Sequence, residues 1–142
     1  MRKNLLLIPL LICHLLLHAQ EKNSSQASPG KWILDKSIGN VEFFYMIVDC
    51  NGKNTVFLKL VNHNDYKVKV SWDEEFATQF VKNAKSRKGT KQFVLSARQT
   101  KASDCSSQNF TEGMIAPEQI SPTYIAEFKK FEYLDIKVAK IK

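Results

Sequence analysis

The chain has 142 residues, of which 25% are charged and 44% hydrophobic, and its formal net charge is +7. This composition excludes a collagen, a coiled coil, a mostly disordered chain and a large multidomain enzyme. The length also leaves little room for a built-in cofactor domain, so we expect no cofactor.

The first 19 residues are typical of a secretory signal peptide. Their beginning is basic, and an apolar run extends from Leu5 to Leu17. This run is shorter than the roughly 20 apolar residues that a membrane-spanning helix needs, and Ala19 supplies the small residue before a cleavage point. The alternative is a lipoprotein cut before Cys13, against which the large Ile12 argues. We therefore predict export to the periplasm or the cell exterior.

The rest of the chain predicts one domain behind a short tether. Residues 20–30 are polar, rich in serine and end in Pro29-Gly30, so we interpret them as a flexible leader. Residues 31–142 have the usual length of a single domain with one core. No later segment approaches the length of a membrane span, so we expect none in the mature chain.

Two cysteines remain after the predicted cleavage, Cys50 and Cys105. In an oxidising compartment they are expected to form one disulfide. The bridge would close a loop of about 55 residues, which the chain-entropy model equates with about 4 kcal/mol of stability. A redox-active or metal-binding pair is the alternative, but the spacing is not C-x-x-C and no histidine lies beside either cysteine.

Strand signals follow one another along the first half of the domain. A short strand is predicted at 32–34, and a nearly continuous run of aromatic and branched residues predicts another at 41–49. Asn51-Gly52 is a hairpin turn signal, because both residues tolerate positive φ. Strands at 55–61 and 66–73 complete a meander. In the last of these, apolar even positions alternate with polar odd positions, as in a half-buried antiparallel strand.

The second half is harder to interpret. Phe76, Phe80 and Ala84 have helical spacing, which predicts a short helix, but a loop with an edge strand fits the same residues. A polar loop is expected at 99–113. The remaining strands are predicted at 93–97, 124–128 and 132–141. In the last of them we expect three residues to face the core, namely Leu134, Ile136 and Val138.

These elements predict an all-β fold with at most one short helix. Short strands separated by turn signals are typical of an antiparallel β-sandwich. A small closed β-barrel, such as an oligonucleotide-binding fold, has a similar number of strands and is the alternative.

The strand–turn–strand unit from Val56 to Trp72 resembles the central hairpin of an immunoglobulin-like β-sandwich. Its first strand follows the pattern L-x-L-x-N, and its second follows V-x-V-x-W. Over residues 41–140 the chain is similar to small secreted bacterial proteins that carry one such domain. The resemblance implies a sandwich of about seven strands. Antibody-type domains place their cysteines differently, so Cys50 at a strand end and Cys105 in a polar loop predict a peripheral bridge.

The sequence shows no catalytic constellation, and we expect neither an enzyme nor a metal site. After cleavage the only histidine is His63, which lies in a predicted turn, and no serine lies in a G-x-S-x-G motif. The acidic run at 73–75 could supply paired carboxylates for glycoside hydrolysis. We interpret it instead as a solvated strand end.

A basic cluster lies at 82–91. Such a cluster can attract an anionic polymer, an anionic glycan or a membrane surface, although a solvated loop is the alternative interpretation. Export makes nucleic acid an unnatural partner, so we expect none. The candidate ligand-binding residues are Lys82, Lys85, Arg87, Lys88 and Lys91.

We therefore expect a secreted, non-catalytic β-sandwich protein. Its expected role is binding or structural, toward an extracytoplasmic protein partner. The alternative is a module that binds carbohydrate or an anionic polymer through the basic cluster. The identity of the ligand and the oligomeric state stay open.

Overall fold

A computed structural model describes residues 30–106, 110–120 and 127–142. The predicted signal peptide lies outside these residues, and so does the predicted leader except for Gly30. None of these residues belongs to a helix with the length and apolar character of a membrane span.

The described part of the chain is all-β, with two antiparallel sheets. The first sheet contains β1 (Ile33–Ile38), β2 (Val41–Cys50), β3 (Lys53–Asn62), β7 (Thr100–Ala102) and β8 (Met114–Ile115). The second contains β4 (Val68–Thr78), β5 (Ala84–Lys85), β6 (Lys91–Leu95) and β9 (Phe128–Lys140). In the first sheet the order is β1-β2-β3-β7, with β8 also on β3. In the second, β9 pairs along most of β4, and β6 and β5 pair with successive parts of its other edge.

Two tight turns set the hairpins of the first sheet. Asn51 and Gly52 have φ of 56° and 78°, which confirms the predicted turn between β2 and β3. Gly39 and Asn40 have φ of 58° and 56° and form an equivalent turn between β1 and β2, a signal that we did not single out in the sequence. Positive φ at both central residues gives a backbone twist that matches the flanking strands.

The core lies between the two sheets. The predicted alternation of β4 is confirmed, since Val68, Val70 and Trp72 are fully buried. The Tyr133 ring of β9 packs edge-on against Phe43 of β2, with ring centroids 5.3 Å apart, and also contacts Trp72 at 6.1 Å. Aromatic residues from both sheets therefore hold the layers together.

The ambiguous segment after residue 73 is a strand and not a helix. β4 continues to Thr78, and Phe76 is buried against Phe128 and Phe131. Phe80 lies in the following turn and is 71% exposed. The helical interpretation was wrong because the alternation of β4 passes through an inward acidic residue, Glu74, which hid the strand period.

The last strand starts earlier than predicted and carries a bulge. β9 begins at Phe128, whereas residues 124–126 of the predicted neighbouring strand lie outside the described residues. Opposite β4, the pairing shifts by one residue between Leu134 and Lys137, and Asp135 there has φ of 48°. The extra residue reverses the alternation. Ile136 and Val138 pack against the core as predicted, but the prediction for Leu134 was wrong.

The two sheets are not joined into a closed barrel. The prediction of a β-sandwich is therefore confirmed, and the alternative of a small closed barrel is not. No strand of one sheet pairs with a strand of the other within the described ranges. β3 and β4 therefore do not form a hairpin, and the predicted meander was wrong beyond β3, because the chain passes from the first sheet to the second after Asn62. The two sheets meet at β1 and β9 through side chains instead. The Tyr133 amide donates to the Asp35 carboxylate at 2.9 Å, and Lys36 contacts Glu132 at 3.2 Å.

The predicted disulfide joins Cys50 at the end of β2 to Cys105, with Cα atoms 5.6 Å apart. The bridge lies in a small secondary cluster with Val48 and Phe57, separate from the main core. The prediction of a peripheral bridge is therefore confirmed.

Candidate functional site

The basic cluster lies along the edge of the second sheet. Thr78 closes the turn after β4, because its amide donates to the Val81 carbonyl at 2.7 Å and its hydroxyl accepts from the Val81 amide at 3.1 Å. The chain then returns through β5 and a loop to β6. Four of the five predicted basic residues are exposed on this return. We call Lys82, Lys85, Arg87 and Lys88 the basic edge.

No member of the basic edge forms an ion pair within the described part of the chain. Other exposed lysines differ, since Lys53 pairs with Glu118 and Lys129 with Glu127. An exposed cation without a carboxylate partner keeps its full charge available to a ligand.

Lys91 has a different environment from the basic edge. Its Nζ lies 2.8 Å from Glu74 Oε1, and the two side chains are only 8% and 0% exposed. Lys91 also donates to the Glu112 carbonyl at 2.8 Å. Both its charge and its donors are therefore used inside the protein, and we leave Lys91 out of the proposed surface.

Glu74 corrects the interpretation of the acidic run. The run was expected to be a solvated strand end, but Glu74 lies between Trp72 and Phe76 on the inward face of β4. Its Oε1 accepts from the Trp72 indole N–H at 3.1 Å as well as from Lys91. The strand period of two determines this placement, since every second residue of β4 faces the core.

Tyr133 adds a fourth polar group to this buried region. Its hydroxyl donates to the Phe44 carbonyl at 2.9 Å. Burial raises the pKa of Tyr133 well above its usual value, and the nearby Glu74 carboxylate raises it further. The phenol is therefore protonated at neutral pH and stabilises the packing of the two sheets.

A small open depression lies beside the basic edge, with a volume of about 190 Å³. It forms at the edge of β4 beside Asp73 and Glu74, in the gap between the parts of β4 that pair with β6 and with β5. The Ser86 amide fixes its wall by donating to the Glu74 carbonyl at 3.1 Å. Gly89 in the loop has φ of 66°. The lining residues are Asp73, Glu74, Lys85, Ser86, Gly89 and Thr90.

Two lining residues carry buried oxygen atoms without a hydrogen-bond partner among the described residues. These atoms are Asp73 Oδ1 and Glu74 Oε2. Buried polar atoms are nearly always hydrogen-bonded, and an unpaired one carries a desolvation cost. The Glu74 side chain is fully buried and held by Lys91 and Trp72, whereas Asp73 is partly exposed, so Asp73 is the carboxylate that a ligand in the depression can reach. Sequence reasoning missed the depression, because the gap between β5 and β6 depends on strand pairing.

His63 was the one histidine considered for catalysis or metal binding in the sequence. It lies just after β3, as the turn prediction required, and its Nε2 is 2.9 Å from a Glu42 carboxylate oxygen. In the described ranges, no three His, Cys, Asp or Glu side chains converge as a metal site would require.

Comparison of the chain with protein-family models, with curated proteins and with solved structures found no match. The resemblance to small secreted bacterial proteins with an immunoglobulin-like domain therefore stays a prediction.

Proposed function

We propose that this protein is a secreted, non-catalytic β-sandwich module that binds an anionic extracytoplasmic polymer through the basic edge. The observation that carries the proposal is the exposure of four cations between Lys82 and Lys88, none of which has a carboxylate partner among the described residues. Clustered charges of one sign attract a polymer whose repeating charges can contact several of them at once.

Two features support the exported location. The apolar run before Ala19 has the length and the flanking residues of a signal peptide. The disulfide between Cys50 and Cys105 suits an oxidising compartment, because such bridges are rare where thiols are kept reduced. An exported module would meet cell-surface and secreted polysaccharides, which are the abundant anionic polymers outside the cytoplasm.

The proposal is tested with the variant Lys85→Ala/Arg87→Ala/Lys88→Ala. We expect its affinity for polygalacturonate to fall about tenfold or more, since each exposed charge contributes up to about 1 kcal/mol. Titration calorimetry at low and high salt measures the affinity, and the affinity of the unsubstituted protein should decrease with salt.

A matched control removes three exposed lysines that lie elsewhere and lack ion pairs in the described part of the chain, namely Lys31, Lys67 and Lys142. Their replacement by alanine changes the net charge equally, and we expect it to leave most of the affinity. Equal losses in the two variants would show that net charge alone is responsible, and the basic edge would then lose its role.

A protein partner is the second candidate, favoured by the apolar surface of β1. This strand is the last of its sheet, and Ile33, Leu34 and Ile38 are each exposed by two fifths or more. Exposed edge strands can pair with a strand of another protein. A partner bound there would be retained by the triple variant of the basic edge, so the same variant separates the two candidates.

A further inference from the structure

The depression beside the basic edge has a lining that a simple anion would not need. We propose that it binds one sugar unit of an acidic polysaccharide, with Asp73 accepting from sugar hydroxyls and Lys85 attracting the sugar's carboxylate. This inference rests on the proposed function, because the same edge carries the polymer.

Strand pairing places the two principal groups on one face. Lys85 of β5 lies opposite Glu75 of β4, and Asp73 is two residues before Glu75 on the same strand. Cross-strand partners share a face, as do residues two apart. Lys85 and Asp73 therefore lie on the same outer face of the second sheet, and both line the depression.

The volume of the depression fits one sugar unit and is too small to enclose a drug-sized ligand. At about 190 Å³ the depression is larger than the space of a single water. It is smaller than the roughly 300–1,000 Å³ of pockets that enclose drug-sized ligands. Its open side would let the rest of a polymer continue along Arg87 and Lys88.

The mixed lining favours a sugar acid over simpler ligands. A metal ion would require more carboxylate or histidine ligands than converge anywhere in the described ranges, and Lys85 would repel it. Inorganic phosphate is compact, so its charge would lie close to Asp73 as well as to Lys85, whereas a sugar acid can hold its carboxylate away from Asp73. A uronic acid has hydroxyl donors for the partly exposed Asp73 carboxylate and an anionic group for the cation. The hydroxyls of Ser86 and Thr90 can exchange further hydrogen bonds with it.

The test compares two carboxylate polyanions, polygalacturonate, which has sugar hydroxyls, and polyacrylate, which has none and carries its charges more closely spaced. We expect the unsubstituted protein to bind polygalacturonate about tenfold more tightly, as expected for hydrogen bonds to a charged acceptor. Asp73→Asn should lose much of this preference, since a hydrogen bond to a neutral amide oxygen is weaker than one to a carboxylate, and should bind polyacrylate at least as well. The control Glu75→Gln makes the same charge change on the same strand, outside the lining, and should keep the preference.

The outcomes separate the inference from the proposed function. Binding of neither polymer by the unsubstituted protein would overturn both. Equal binding of the two polymers, or an Asp73→Asn variant that behaves like Glu75→Gln, would overturn the sugar site alone and leave a general polyanion-binding edge. If Asp73→Asn does not fold, Thr90→Val gives the same test, since it removes a lining hydroxyl at an exposed position.

Discussion

At the scale of single residues, the ion pair of Glu74 and Lys91 is the least expected feature of the molecule. The pair lies in a mostly apolar interior, and Trp72 donates to the same carboxylate oxygen as Lys91. Two buried charges lose their hydration, so such a pair contributes little net stability. Removal of one partner nevertheless leaves an uncompensated charge in the interior, and this is strongly destabilising.

We therefore expect Lys91→Met to lower the free energy of unfolding by about 3 kcal/mol. Urea denaturation at neutral pH measures the change. The control is the double variant Lys91→Met/Glu74→Gln, which should recover much of the loss because a neutral amide oxygen can still accept from Trp72. A single variant with the urea midpoint of the unsubstituted protein would show that Glu74 does not need its cation.

Sequence patterns could not show that Glu74 and Lys91 are buried while their charged neighbours are not. Glu74 lies in an acidic run and Lys91 ends a basic one, so both had the local composition of solvated segments. Their burial depends on pairing across β4 and β6, where Trp72 lies opposite Lys91. The four exposed cations were identified from the sequence, because a solvated charge needs no tertiary partner.

At the scale of elements, β9 shows how one residue changes a strand. Phe131 and Tyr133 face the core at odd positions, whereas Ile136 and Val138 do so at even positions. The reversal occurs at Asp135, whose φ of 48° is in the left-handed region. Aspartate tolerates this region better than most residues because its short side chain can form local hydrogen bonds.

Substitutions at Asp135 should separate backbone strain from side-chain contacts. We expect Asp135→Gly to unfold at or above the urea midpoint of the unsubstituted protein, since glycine adopts positive φ readily. Asp135→Val should lose about 1–2 kcal/mol, because a branched side chain is strained there. Asp135 is exposed, so lost packing cannot account for the difference. Equal stability of the two variants would contradict a strained bulge.

At the scale of the whole molecule, the disulfide links the end of a core strand to a long connection. It joins Cys50 to Cys105 across a separation of 55 residues and packs outside the main core. In the chain-entropy model, its contribution comes from restricting the unfolded chain, and not from contacts in the folded state.

Reduction of the bridge should lower the free energy of unfolding by up to about 4 kcal/mol while the fold is kept. The comparison uses the oxidised and the reduced protein, since the two differ in no other atoms. Circular dichroism checks the fold, and urea denaturation measures the stability. Equal midpoints for the two forms would mean that the bridge does not restrict the unfolded chain.

The sequence by itself determined the features that depend on local chemistry. The alternation of apolar and polar residues in β4 predicts which face of the strand is buried, because successive side chains of a strand point to opposite sides. The turn at Asn51-Gly52 follows from the tolerance of these residues for positive φ, and the two cysteines that follow the predicted signal peptide have one simple pairing. These inferences hold because neighbouring residues carry all the information they need.

Only the tertiary structure decided the features that depend on distant partners. The pairing of β5 and β6 with successive parts of β4 opens the depression at Asp73 and brings Lys91 to Glu74. The bulge at Asp135 determines which residues of β9 enter the core. Such contacts join residues far apart in the chain, and their energies depend on burial and geometry that no local pattern records.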